Sequence, residues 1–168
     1  EAQLEAVLAA SWADALCLQE LWFEPPAIAL LEDIAGRHGY SVVTCRRRGW
    51  EGQKADGLAL LLRRSAARAL RCSEVELCLE GGRVLLLAAV KVAGLAPGKA
   101  PVFVLGTTHL THPHGDHTNR LRMVQAWRCS CACASFAAEQ GLEGAAAILV
   151  GDFNARAPVQ EDLAMQTF

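Results

Sequence analysis

The longest unbroken apolar run in this sequence, residues 84–90, is seven residues long, and that length constrains the fold more than any other feature. A membrane helix needs ~18 apolar residues or more, so no span can be built from it. A run this short suits a strand buried on both faces. Residues 57–62 and 146–150 repeat the pattern with Leu, Ile, Val and Ala. With 52% apolar and 20% charged residues over 168 positions, the chain fits one domain with a substantial core. The same composition excludes a disordered polymer. No basic segment precedes residues 4–10, so no secretory leader is read there. The first residue is Glu1 rather than Met, from which a missing true start is expected.

Periodicity supplies a coarse map. Residues 1–13 read as an amphipathic helix with Leu4, Val7 and Leu8 on one face. Residues 15–18 form a short apolar strand that ends in Gln19-Glu20. Pro25-Pro26 opens a helix that runs to about Arg37, with Gly36 and Gly39 as stop signals. Strands are expected over 40–47 and 57–62, separated by a Gly-rich polar loop at 49–53. Residues 70–79 and 84–92 bracket Glu80-Gly81-Gly82-Arg83 as a hairpin. A strand at 102–105 leads into the His-rich loop 109–117, and 118–140 has helical composition. Residues 146–150 form a last strand that opens into Gly151-Asp152-Phe153-Asn154. Strands interleaved with helices plus one hairpin specify a mixed α/β layered domain without repeats or linkers.

Charge and cysteine usage narrow the setting. Residues 1–36 carry seven acids and no Lys or Arg, whereas 37–71 carry nine basic groups against Glu51 and Asp56. Such a local excess suits a polyanionic partner, with Arg46, Arg47 and Arg48 as its densest part; solvated strand edges are the plain alternative. Of the seven cysteines, Cys17, Cys45, Cys72 and Cys78 lie in apolar strand-like contexts and read as small buried hydrophobes. Cys129, Cys131 and Cys133 alternate faces of a helix. No pair of CxxC motifs occurs, so the cysteines imply a reducing, intracellular location rather than a zinc or disulfide framework.

The chemistry-bearing residues stand at strand ends. Glu20 follows Leu16-Cys17-Leu18, His109 follows the strand at 102–105, and Asp152 and Asn154 follow Ile148-Leu149-Val150. Polar groups delivered by separate buried strands can converge on one rim of a sheet, where open α/β sheets bind ligands. Alone, a carboxylate after an apolar strand reads more often as a loop charge or a helix cap.

In order, the chain carries Leu18-Gln19-Glu20, Asp56-Gly57-Leu58-Ala59-Leu60, Thr108-His109-Leu110, Arg122-Met123-Val124-Gln125 and Gly151-Asp152-Phe153-Asn154. This series resembles the endonuclease/exonuclease/phosphatase superfamily over essentially the whole chain, and its Asp56-Gly57 version is most similar to the deadenylase-like branch and its plant and algal relatives. The resemblance implies a four-layered α/β/β/α sandwich of two mixed sheets. It implies a divalent-metal-dependent phosphodiester hydrolase, with Glu20 as ligand to Mg²⁺ or Mn²⁺, a hard cation that accepts carboxylate oxygen and keeps its waters. It further implies that Asp152 and Asn154 orient the attacking water and the phosphate, and that His109 contacts the phosphate. The substrate is then a phosphorylated molecule, RNA or DNA among the possibilities. The superfamily's Asn-bearing N-terminal strand and its C-terminal Asp-His pair have no counterparts here. The expectation is therefore a single domain over 1–168, incomplete at both ends and inactive by itself.

Two alternatives accompany this reading. His112-Pro113-His114-Gly115-Asp116-His117 is an HxHxDH sequence, similar to that of metallo-β-lactamase-type zinc hydrolases, although no histidine follows His117 to complete such a site. A non-catalytic phosphate-binding module would use the same basic stretch. No DxDxDG calcium loop is present.

Overall fold

The computed structural model describes residues 2–48, 55–77, 80–93, 101–112 and 115–155. Helix α1 (Ala2–Ala10), strand β1 (Ala15–Trp22), helix α2 (Pro25–Arg37) and strands β2 (Tyr40–Arg46) and β3 (Asp56–Arg63) form the first half. Strands β4 (Ala67–Glu76), β5 (Val84–Val92) and β6 (Val102–His109), helix α3 (Asp116–Glu139) and strand β7 (Ala147–Asp152) form the second. Two sheets result, ordered β1-β3-β2 and β4-β5-β6-β7. All pairings in the first are antiparallel; the second is mixed, because β7 returns through α3 to lie parallel to β6.

Period-two alternation explains the layers. In β3, Leu58, Leu60 and Leu62 face one way and Ala59 and Leu61 the other. In β5, Val84, Leu86, Ala88 and Val90 meet the first of these faces, while Leu85, Leu87 and Ala89 point away. The inter-sheet core is thus built from alternate residues of two strands that are apolar on both faces. The outward face of the first sheet is covered by Leu8, Leu31, Ile34 and Ala35 of α1 and α2. The outward face of the second is covered by Cys129, Cys133 and Phe136 of α3. Helix, sheet, sheet, helix is the four-layered order expected.

Several local expectations need correction. Strand β1 runs past Leu18 to Trp22 with a bulge between Leu18 and Leu21, so Glu20 is inside a strand rather than after one. Strand β6 continues to His109, which makes that histidine a strand residue and not a loop residue. Helix α1 buries Leu8 but leaves Val7 59% exposed, so the face drawn through Leu4, Val7 and Leu8 is wrong by one residue. Cys72 is exposed, because β4 is an edge strand with one solvated face. The hairpin's first strand ends at Glu76, before a short turn of 3₁₀ helix at Glu80–Gly82. The expected loop at 49–53, together with Cys78 and His114, lies outside the described residues.

Candidate active site

The same alternation that builds the inter-sheet core places polar residues at one end of it. Asp56 continues the Leu58, Leu60, Leu62 row of β3, and His109 continues the Phe103, Leu105 row of β6 through Thr107. Asp152 continues the row of Val150 in β7. These rows all face the space between the sheets, so their polar ends meet at its rim.

Glu20 joins them through the bulge. Between Leu18↔Ala59 and Leu21↔Gly57, two residues of β1 stand opposite the single residue Leu58. The extra residue restores Leu21 to the helix-covered face alongside Leu16 and Leu18. It also holds Glu20 at φ +56°, in the left-handed region that a glutamate adopts at an energetic cost. Beside it, Gln19 Nε2 donates to Thr107 Oγ1 at 3.1 Å, joining β1 to β6 across the two sheets.

The cluster has defined dimensions. One ligand atom each from Glu20, Asp56 and His109 lies within 4.8 Å of the others, the one such group of three among the described residues. His109 Nε2 is 3.7 Å from Asp152 Oδ2. Asp56 is 5% exposed, and Arg47 Nε lies 3.2 Å from its Oδ1. That guanidinium pairs by charge but is not aligned to donate, and Asp56 Oδ1 has no hydrogen-bond partner among the described residues. A buried, unsatisfied carboxylate oxygen beside a second carboxylate and an imidazole fits a divalent cation. The donor set is two oxygens and one nitrogen, and Glu20 and Asp152 remain exposed to solvent for a ligand to reach.

Cations balance the acids. Arg83, immediately before β5, is 8% exposed and lines a small crevice with Arg47, Asp56 and His109. Burial and the neighbouring Arg47 push its guanidinium down to about 10. Burial, and then the charge of Arg83, likewise lower the His109 imidazole from its ordinary 6.5, with Asp152 and Glu20 opposing. At neutral pH His109 is therefore uncharged, with one ring nitrogen free to accept.

Beyond the strand ends, the Gly151-Asp152-Phe153-Asn154 loop lies tightly against β6. A Cβ on Gly151, at φ +144°, would sit 2.0 Å from the carbonyl oxygen of Thr108, so only glycine permits this approach. Asn154, at φ +49°, donates its Nδ2 to Leu110 O at 2.9 Å, and its backbone N–H donates to Asp152 Oδ1 at 2.8 Å. A cleft of about 770 Å³ adjoins the site, lined by Leu110, Asn119, Arg122, Met123 and Phe153 among others.

All four expected site residues, Glu20, His109, Asp152 and Asn154, stand in this neighbourhood. Asp56, Arg47 and Arg83 were not assigned to this site from sequence. For Asp56 a signal existed: it heads the alternating row that the run at 58–62 defines. Arg46, Arg47 and Arg48, read as one basic group, divide in the structure. Arg46 and Arg48 are exposed, whereas Arg47 turns inward to Asp56. The HxHxDH residues do not gather comparably among the described residues. His112 follows the site segment, while Asp116 and His117 open α3.

Comparison with solved structures gives the same architecture. The catalytic domain of human Nocturnin with bound sulfate superposes with a TM-score of 0.70 at 17% identity, covering 99% of this chain and 62% of that one. ANGEL2, a 2',3'-cyclic phosphatase, in complex with adenosine-2',3'-vanadate, gives 0.70 at 20% identity, covering 93% of this chain and 44% of that one. TDP2 of D. rerio with a single-strand DNA product gives 0.64 at 21% identity, covering 97% and 56%. The chain thus spans less than two thirds of each of these structures. No curated protein matches it in sequence. The sequence description of one family matches residues 1–161, nearly the whole length. The chain belongs to the Endonuclease/Exonuclease/phosphatase family.

Proposed function

We propose that this domain belongs to a divalent-metal-dependent phosphoester hydrolase whose substrates include nucleic acid or nucleotide phosphates. The observation that carries the reading is the convergence of Glu20, Asp56 and His109 within 4.8 Å at a rim that also holds Asp152. The family and its fold support it, as do the ligands of the solved relatives, an adenosine-2',3'-vanadate, which mimics a cyclic phosphate ester, in one and a DNA product in another.

Glu20, with Asp56 beside it, would hold Mg²⁺ or Mn²⁺, which when bound supplies charge neutralisation at the phosphate oxygens. The protein's own groups do the rest. Neutral His109 hydrogen-bonds a phosphate oxygen from the β6 end. Asp152, exposed and within 3.7 Å of His109, accepts a hydrogen bond from the attacking water. The Asn154 amide carries two hydrogens, of which one goes to Leu110 O, and the second would serve a phosphate oxygen. Arg83 and Arg47 offset the acids and favour an anionic substrate.

The test is Glu20→Gln in the full-length protein, assayed on bis(p-nitrophenyl) phosphate and on RNA and DNA oligonucleotides over a Mg²⁺ and Mn²⁺ titration. Turnover should fall by about 10²-fold or more with an unchanged circular-dichroism spectrum. Near-wild-type turnover at limiting Mg²⁺ would overturn the ligand assignment.

A further inference from the structure

We propose that Gln125 and Arg122 of α3 are positioning residues for His109, acting through Thr111. The inference deepens the phosphoester-hydrolase reading, on which its kinetic arm rests, and it starts from the backbone just beyond His109. Strand β6 ends there, so Leu110 and Thr111 leave the sheet, and past the Leu110 N–H, which still reaches β7, their polar backbone groups lose ladder partners.

All four groups are nonetheless satisfied. The Leu110 N–H donates to Asp152 O at 2.8 Å, and Leu110 O accepts from Asn154 Nδ2 at 2.9 Å. The Thr111 N–H donates to Gln125 Oε1 at 3.1 Å, and Thr111 O accepts from Arg122 Nη1 at 2.8 Å. Gln125 Nε2 closes a ring by donating to Thr111 Oγ1 at 2.7 Å. One residue is thus gripped at its N–H, its carbonyl and its hydroxyl by two side chains three positions apart on one helix face.

The burial of the two side chains shows that this grip is not incidental. Gln125 is fully buried and Arg122 is 7% exposed. Placing a primary amide and a guanidinium in the layer between α3 and the second sheet is costly unless their hydrogen bonds are made, and an apolar side chain would pack there without that cost. What the amide adds is direction, because its oxygen and nitrogen fit one arrangement of Thr111. Asp152 and Asn154 hold Leu110 from one side, α3 holds Thr111 from the other, and His109 is the next residue in the chain. The outer helix therefore serves as a fixed support for the imidazole.

The experiment compares Gln125→Met, which keeps the volume and removes both polar atoms, with wild type in the full-length protein. The first readout needs no turnover: the His109 imidazole is followed by NMR at one fixed pH. Its resonances should move as the ring loosens from its buried place. The second readout is kinetic. The value of kcat should fall at least tenfold with KM within about twofold, and Gln125→Met should cause no further loss in a His109→Ala background. Unchanged His109 resonances, or an equal loss of activity in both backgrounds, would overturn the proposal. Should Gln125→Met fail to fold, Thr111→Val removes only the hydroxyl end of the ring and is held to the same criteria with about a threefold effect. A protein without phosphoester hydrolysis would refute the functional reading, while the NMR arm would still decide this one.

Discussion

Replacing Gly151 by alanine should damage this protein out of proportion to one added methyl group. The new Cβ would lie 2.0 Å from Thr108 O and 2.9 Å from the attached carbon, while φ is +144°. Reaching even the shortest distance that real Cβ atoms tolerate requires the two strands to part by about 1 Å. Overpacking of this kind costs about 1–3 kcal/mol. An L-residue held at that φ adds about 1–3 kcal/mol. Parting β6 from β7 also strains the Leu110 N–H to Asp152 O bond, worth about 1 kcal/mol. The sum, roughly 3–7 kcal/mol, is a large share of the ~5–15 kcal/mol that stabilises a typical domain. Urea denaturation of the full-length protein, followed by tryptophan fluorescence, should show the midpoint fall accordingly. Turnover should fall by about 10²-fold even where the variant stays folded, because a 1 Å displacement separates His109 from Asp152. A loss of less than 1 kcal/mol would refute the close-approach argument.

Further outcomes follow from charge. His109 is held below 6.5 by burial and by Arg83, so its neutral form persists as pH falls and the acidic limb of kcat/KM should lie below pH 6.5. The unfolded chain takes up that proton first, so the associated stability is complete above pH 6.5 and declines below it. Arg83→Gln removes one cause of the depression and should move the acidic limb to higher pH; a limb that stays or moves down would contradict the assignment. Charge reversal at exposed Arg46 and Arg48 should flatten the salt dependence of binding to an RNA or DNA oligonucleotide, by about one unit of slope for each phosphate no longer neutralised. Arg47→Glu should instead destabilise the fold by about 3–5 kcal/mol, since it leaves buried Asp56 beside a like charge. Equal salt slopes before and after reversal would return Arg46 and Arg48 to plain solvated edges.

The layers of this fold were legible because β3 and β5 are apolar on both faces, and only an element sandwiched between two others needs that. Asp152 and His109 were legible as polar residues closing such strands. What escaped the sequence depends on partners far along the chain. The bulge at Glu20 exists because β1 must match the register of β3, and nothing within Leu18-Gln19-Glu20 encodes that register. Three consecutive arginines look alike in sequence, yet alternation sends the middle one inward and its neighbours outward. Arg122 and Gln125 showed helical spacing, but their shared target, Thr111, is named only by the packing of α3 against the sheet. The exposure of Cys72 followed from β4 lying at an edge, which local composition does not reveal.

The division of the rim between the two sheets carries a further consequence. Glu20 and Asp56 ride on one sheet and His109 and Asp152 on the other, with the Gln19 to Thr107 bond as a tie across the seam. Neither half holds a complete constellation, so the reactive geometry measures how closely the sandwich is shut. A cavity opened among Leu60, Leu86 and Leu105, well inside the seam, would let the halves drift while each sheet kept its own ladder. Turnover would then fade under gentle denaturation before the secondary structure did, and ligand binding across the rim would act as a clasp that tightens the core beneath it.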